Sequence, residues 1–332
     1  MSYEKKSRGR SDHRGAVDRR AFMASVAGAS ALATLTGRPL QAGLYAAPGP
    51  TSAAETAVTE FYRGLNESQR QAICLPLEHE LRGKVNANWH VTKHTLGDGS
   101  FSRSQVDLVR RILRGATSED GFARLEKQMD FDSGGIGEYS VAVFGEPGGP
   151  GKFEFEITGR HLTLRVDGNT IEHAAFGGPI VYGHGEEDAK QNLFYYQTLQ
   201  ANEVFSSLSA EQSAKALLTG AAPTENAVQL QGTAGQFPGI SVATLSADQQ
   251  ALVSRTLEVL LAPYRREDIE EVMQIVQKSG GIQTLNMAFY QQDNLDNDRL
   301  WDIWRIEGPS FVWHFRGAPH VHAYINIGVV ST

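Results

Sequence analysis

Phe153-Glu-Phe-Glu-Ile157, followed after Thr158-Gly159 by Arg160-His-Leu-Thr-Leu-Arg-Val166, is the stretch that decides the fold. Both runs alternate at a period of two, the period of a strand whose successive side chains point to opposite faces. In the first, Phe153, Phe155 and Ile157 share one face, while Glu154 and Glu156 share the other and read as a solvated face. In the second, Leu162, Leu164 and Val166 form one face, and His161, Thr163 and Arg165 the other. Upstream, Tyr139-Ser-Val-Ala-Val-Phe-Gly145 is a further strand and Glu146-Pro-Gly-Gly-Pro-Gly151 a turn. Downstream, Asp167-Gly-Asn169 turns the chain into a strand over 170–176. Hairpin connections of this kind make the block an antiparallel meander.

A second β block lies near the C-terminal end. Residues 284–291 alternate, 293–298 form a polar turn, and Trp301-Asp-Ile-Trp-Arg-Ile-Glu307 alternates again. The stretch 309–328 then supplies two more strands, separated by Gly317-Ala-Pro319. Apolar spacing predicts one helix or two short ones over 53–75, stopped by Pro76, and helices over 104–114 and 118–129, the latter with Ser118 as N-cap. Residues 86–96 read as irregular or extended. Between the β blocks, Gly177-Gly-Pro179 and Tyr182-Gly-His-Gly185 read as a glycine-punctuated segment that returns to helix at Asp188. Helical patterns cover 192–208, 250–262 and 266–278. Ser209-Ala-Glu-Gln212 and Ser246-Ala-Asp-Gln249 have the spacing of reciprocal caps. Strand blocks separated by helices predict an α+β fold rather than a parallel Rossmann-like sheet. The expected architecture is a largely antiparallel sheet built from blocks at 139–183 and 284–327, with a helical block packed against it. Joining the two blocks would bring His161 towards His320 and His322.

The chain has 332 residues, 41% hydrophobic and 21% charged, the composition of a globular protein. Its charge of −7 is unevenly spread: residues 1–47 carry +5, leaving −12 on the rest. An acidic body without a basic stripe argues against nucleic acid or anionic lipid as partner. The single cysteine, Cys74, excludes an internal disulfide and a cysteine zinc cage, and its apolar neighbours make it a buried small hydrophobe. Arg19-Arg20, Phe22 and the uncharged small-residue run from Ala21 to Thr36 resemble a twin-arginine (Tat) export signal. The expected organisation is a removable signal at 1–47, cleaved between Ala42 and Ala47, and one domain over 48–332. The protein is then periplasmic or otherwise extracytoplasmic, with no membrane attachment after cleavage.

Two imidazoles two residues apart on one strand face, His320 and His322, can reach a single metal ion. The third ligand falls to His161 or His314; His90, His94, His173 and His184 are weaker candidates. Arg316 and Tyr324 stand beside the pair as groups to stabilise charge or orient a ligand. No G-x-S-x-G elbow, P-loop or dinucleotide fingerprint is present. Trp301, Trp304 and Trp313 are read as packing under the sheet, with a carbohydrate platform as the rival reading.

Tyr139-Ser-Val-Ala-Val-Phe-Gly-Glu-Pro147, Gly159-Arg-His-Leu162, Ala174-Ala-Phe-Gly-Gly-Pro179, Trp304-Arg-Ile-Glu-Gly-Pro-Ser-Phe311 and Pro319-His-Val-His322 together resemble the DUF3500 family of bacterial proteins. The resemblance spans nearly everything after about residue 55. The family typically has Gly-His-His-Leu where this chain has Gly159-Arg160-His161-Leu162. It follows its His-x-His with a Thr-aromatic-Arg-Asp run, which Ala323-Tyr-Ile-Asn326 replaces here. The resemblance implies that His161, His320 and His322 fall at the family's histidine motifs, and it implies no reaction. The leading expectation is an exported protein with a mononuclear metal bound by these three histidines. Copper or iron is favoured over zinc, in a metal-dependent oxidase or hydrolase. Its partner is an unknown small molecule or glycan. The rivals are a non-catalytic extracytoplasmic binding or structural protein without a metal, and a glycan-active enzyme using Glu154, Glu156 and the tryptophans.

Overall fold

The computed structural model describes residues 47–292, 294 and 300–330. The expected export signal and most of the polar 293–298 turn lie outside the described residues. Eight α-helices are described: α1 Ala53–Arg63, α2 Glu67–Ile73, α3 Arg103–Ala116, α4 Glu119–Ser133, α5 Tyr195–Ser206, α6 Ala210–Ala216, α7 Ala247–Leu261 and α8 Arg266–Lys278. Eleven strands accompany them: β1 Cys74–Leu75, β2 Ser140–Gly145, β3 Phe153–Gly159, β4 Leu162–Val166, β5 Ile180–His184, β6 Leu217–Leu218, β7 Ile240–Ser241, β8 Asn286–Tyr290, β9 Ile303–Gly308, β10 Phe311–Arg316 and β11 Val321–Ile327. None of the described helices is long and apolar enough to cross a membrane.

Local chemistry sets the helix starts. In α6 and α7 the serine at the N-cap, Ser209 or Ser246, accepts the amide of Gln212 or Gln249, whose side chain accepts the serine amide in return. The same box opens α2 at Asn66 and α3 at Ser102. Ser118 caps α4, as its sequence predicts, and Gly134 ends that helix in a left-handed turn.

All eleven strands form one sheet, in the order β1-β2-β3-β4-β5-β11-β10-β9-β8-β6, with β7 also on β8. It is antiparallel except where the two-residue strands β1 and β6 join. One face carries the alternating apolar residues, among them Phe155, Ile157, Leu164, Trp313 and Ile325, and packs against α1, α3, α4, α7 and α8 in the main core. The other face is covered without helices by residues 75–91 and 222–230, over smaller apolar clusters around Val91, Phe144, Val181 and Tyr324. An irregular cover has backbone groups that no helix or ladder satisfies, so the sheet beneath it must supply polar partners. Arg165 donates to the carbonyls of Arg82 and Lys84, Thr163 to that of Asn86, and Thr158 accepts the Val91 amide. Further along, Arg305 holds the Ala227 carbonyl and Asn326 the Val228 carbonyl.

This arrangement corrects three readings. Glu154 and Glu156 are not a solvated face; both are fully buried under residues 76–92, beside Arg165. Residues 170–176 are not a strand: His173 and Phe176 have left-handed backbones, and a 3-10 turn occupies Ala175–Gly177. The strand that joins the two blocks is instead β5, in the glycine-punctuated segment, which pairs β4 on one side and β11 on the other. Gly183 makes that segment look like a loop in sequence. In the sheet it is bare because a Cβ there would strike the Val321 carbonyl and lie 3.3 Å from the Cβ of His161.

Candidate metal centre

Three turns and strand ends meet at one end of the sheet. Gly159 pairs with Leu162, so Arg160 and His161 form a two-residue hairpin turn between β3 and β4. His161 is therefore not a strand residue on a polar face; it takes a left-handed conformation, at φ 58°, as the second residue of the turn. His320 ends the connection between β10 and β11, and His322 follows on β11 opposite Gly183. The bare backbone of Gly183 lets the His161 ring approach. The ring centres of His161 lie 5.0 Å from His320 and 4.8 Å from His322, and those of His320 and His322 are 4.8 Å apart. The candidate ligand atoms of the three all fall within 4.8 Å of one another.

Two carboxylates orient the rings from opposite layers. Asp132, in the last turn of α4, lies 2.8 Å from His161 Nδ1, and also accepts from Gln128 and the Gly185 amide. Glu225, in the cover loop, lies 2.8 Å from His322 Nδ1 and pairs with Arg316 at 2.8 Å. Burial alone would raise both carboxyls. The bonds from His161, Gln128 and Gly185 hold Asp132 below its ordinary range, and His322 and Arg316 do so for Glu225. Ionised carboxylates accept only, so Nδ1 of both histidines carries a proton, which makes Nε2 the candidate ligand atom of each.

His322 Nε2 lies 3.1 Å from His320 Nε2. Arg316 Nη2, a donor, approaches the same His320 atom at 3.4 Å. With His320 protonated on Nδ1 the Nε2 lone pairs of His320 and His322 would face each other; with the proton on Nε2 the contact is a hydrogen bond to His322. Burial, then the neighbouring His322 and Arg316, push His320 down to about 4, and burial lowers His322 as well. The pair is thus neutral near pH 7, the state in which imidazole binds metals. An ion about 2.1 Å from each nitrogen would see the pair at roughly 100°, within the range of tetrahedral zinc or copper sites. At that bond length two nitrogens of a tetrahedral site stand about 3.4 Å apart, so His161 needs drawing in by up to about 1.4 Å.

The remaining candidates sort clearly. Arg316 borders the trio through Glu225 and His320. Tyr324 is buried with its hydroxyl engaged by the Ala87 amide; the Ala87 carbonyl in turn accepts the His161 amide. Tyr324 therefore braces the His161 turn rather than facing the trio. His314 is buried on β10 outside the trio, and burial lowers it to about 4. His184 accepts the Leu193 amide and packs its ring on Phe131, His94 bonds Asp98, and His90 is exposed. Trp304 and Trp313 are sealed in the core and Glu154 and Glu156 under the cover, which removes the carbohydrate platform and its carboxylate pair. Cys74 is half-buried, and burial pushes its thiol up to about 11.

Asp132 and Glu225 escaped the sequence reading. Asp132 had a signal: an acid in the last turn of a helix opposes the helix dipole and needs another reason to be there. Glu225 had none, since it is one acid in an irregular loop whose place is fixed by Arg305 and Asn326 from strands far along the chain. Comparisons with curated proteins and with solved structures found no match. The chain matches DUF3500, a family of proteins of unknown function, over residues 48–325, and it belongs to that family.

Proposed function

We propose that His161, His320 and His322 hold one transition-metal ion and that the protein is a metal-dependent oxidoreductase or hydrolase. The observation that carries this reading is the convergence of the three imidazoles, with the Nε2 atoms of His320 and His322 3.1 Å apart and the candidate ligand atoms of all three within 4.8 Å of one another. With His320 protonated on Nδ1, a cation between the two Nε2 lone pairs relieves their repulsion. Carboxylate-anchored Nδ1 atoms are the outer shell typical of metal-binding histidines. All-imidazole donors suit copper, iron and zinc. Copper or iron fits the oxidoreductase version and zinc the hydrolase version. Three protein ligands leave a position for water, dioxygen or substrate, where the metal supplies Lewis acidity or redox chemistry. Asp132 and Glu225 fix the rings, and Arg316 sets a positive charge against the ligand position.

One alternative has its own support. A tautomer in which His320 Nε2 carries the proton would make the 3.1 Å contact a hydrogen bond within a polar sheet end, as in a metal-free binding or structural protein. Elemental analysis of protein purified from its native compartment separates the two. The metal reading expects about one equivalent of a single transition metal, lost in His320→Ala/His322→Ala. Less than about half an equivalent, unchanged in that variant, supports the alternative. The twin-arginine pair supports export by the Tat route to the periplasm or beyond. Lysines at Arg19 and Arg20 are expected to leave the protein in the cytoplasm, and normal export of that variant would contradict this part.

A further inference from the structure

Arg160 precedes His161 in the same two-residue turn, and its guanidinium reaches the mouth of the site. Its Nη2 lies 3.6 Å from the point where a Cβ on Gly185 would stand, and that point is 3.3 Å from Cε1 of His161. Gly185 has no side chain to fill this gap, because the Asp132 carboxylate that takes its amide already crowds the position. The charge of Arg160 is felt at the His320 ring. The residue is exposed, and among the described residues no carboxylate lies within ion-pair distance of its guanidinium. Arg316 differs: Glu225 neutralises it at 2.8 Å.

The charges around the trio then balance in a telling way. Asp132 and Glu225 contribute two negative charges, already engaged by His161 and His322; Arg160 and Arg316 contribute two positive ones. The metal-free site is neutral, and a divalent ion makes it doubly positive inside an acidic protein. A guanidinium without an ion-pair partner beside an open metal position favours an anion. One fork of two parallel donors matches the two oxygens of a carboxylate. Phe131 stands 56% exposed on the same rim, its ring 4.7 Å from that of His184, and offers an apolar surface to the rest of the molecule.

We infer that the site takes a small carboxylate substrate, its carboxylate bound between the Arg160 guanidinium and the metal position and its apolar part against Phe131. The inference rests on the metal-centre reading above.

The test uses the full chain loaded with cobalt(II), whose visible bands report ligands entering its coordination sphere, titrated with acetate, inorganic phosphate and imidazole. Acetate is expected to perturb the bands and to bind about 10- to 100-fold more weakly to Arg160→Met. Cobalt content and imidazole binding should be the same in both proteins, and Arg160→Lys should recover acetate binding only in part. Equal acetate affinity in the two proteins, parallel loss of imidazole binding, or preference of the wild type for phosphate would each overturn the inference. Failure of the wild type to take up cobalt counts against the metal centre alone. The carboxylate inference is then decided in the metal-free protein, where acetate should shift the imidazole resonances of His161 and not do so in Arg160→Met. Absence of any shift overturns it.

Discussion

Two polar clusters share the covered face of this sheet, and they differ in how their valences close. Under residues 76–92, Arg165 joins Glu154 and Glu156 and spends its remaining donors on the carbonyls of Arg82, Lys84 and Pro179. That cluster is sealed, with Arg165, Glu154 and Glu156 side chains at 0% exposure, and it fastens the irregular cover to the sheet. At the sheet's end, His161 and His322 use their outer nitrogens on Asp132 and Glu225, and the candidate ligand atoms of His161, His320 and His322 turn towards one another. Their rim is partly open. A polar cluster whose guanidinium is spent on backbone carbonyls is there to hold the fold. One whose candidate ligand atoms lie within 4.8 Å of one another is the arrangement that the proposed metal centre requires.

The largest effect that can break this contrast is at Arg165. Replacing it by Leu strands two buried carboxylates and three carbonyls, and is expected to cost about 3–5 kcal/mol of stability. Urea denaturation measures it; a loss below about 1 kcal/mol would mean the cover does not depend on this cluster. At the histidine end the pattern should reverse. Asp132→Asn and Glu225→Gln are each expected to weaken metal binding by about 10- to 100-fold, followed by competition with a chelator, while metal-free stability falls by less than in the Arg165 variant. Unchanged affinity in both variants would remove the carboxylates as orienting groups.

A pH series sharpens the contrast at the sealed cluster. Burial pushes Glu156 up to about 8, with the Glu154 charge adding to it and Arg165 opposing. Because 3.0 Å separates Arg165 from Glu156 without a hydrogen-bonding alignment, the pair does not restore the ionised form. The folded state therefore holds this proton more tightly than the unfolded chain. Its stabilising contribution is complete below the ordinary carboxylate range and is lost as pH rises to about 8. Asp268, raised to about 7, and Glu271, raised to about 8, both chiefly by burial, act in the same direction. Glu156→Gln should gain on the wild type steadily from about pH 5 to pH 8 in melting temperature. A constant difference across that range would show that Glu156 is ionised in the fold. The smallest expected effect is Tyr324→Phe, which frees the Ala87 amide and should cost about 1 kcal/mol with a few-fold loss of metal affinity through the His161 turn.

The fold was largely legible because its signals are local. Period-two runs marked β3, β4, β9, β10 and β11, and serine–glutamine boxes marked α6 and α7. What could not be read was set by distant contacts. Glu154 and Glu156 look solvated until residues 76–92 close over them, and β5 looks like a loop until His161 explains Gly183. The histidines were legible because strand geometry pairs His320 with His322 from sequence alone. Arg160 stood in the quoted turn as the residue departing from the Gly-His-His-Leu pattern, but only the bare Gly185 beside it reveals where it reaches.

The central claim is that the three histidines share one ion. Crystals of the full chain carrying its metal, measured at that metal's absorption edge, test it most directly. The expected result is a single anomalous peak about 2.1 Å from nitrogens of His161, His320 and His322. A fully ordered trio with no peak, and a hydrogen bond between His320 and His322 in its place, would contradict it.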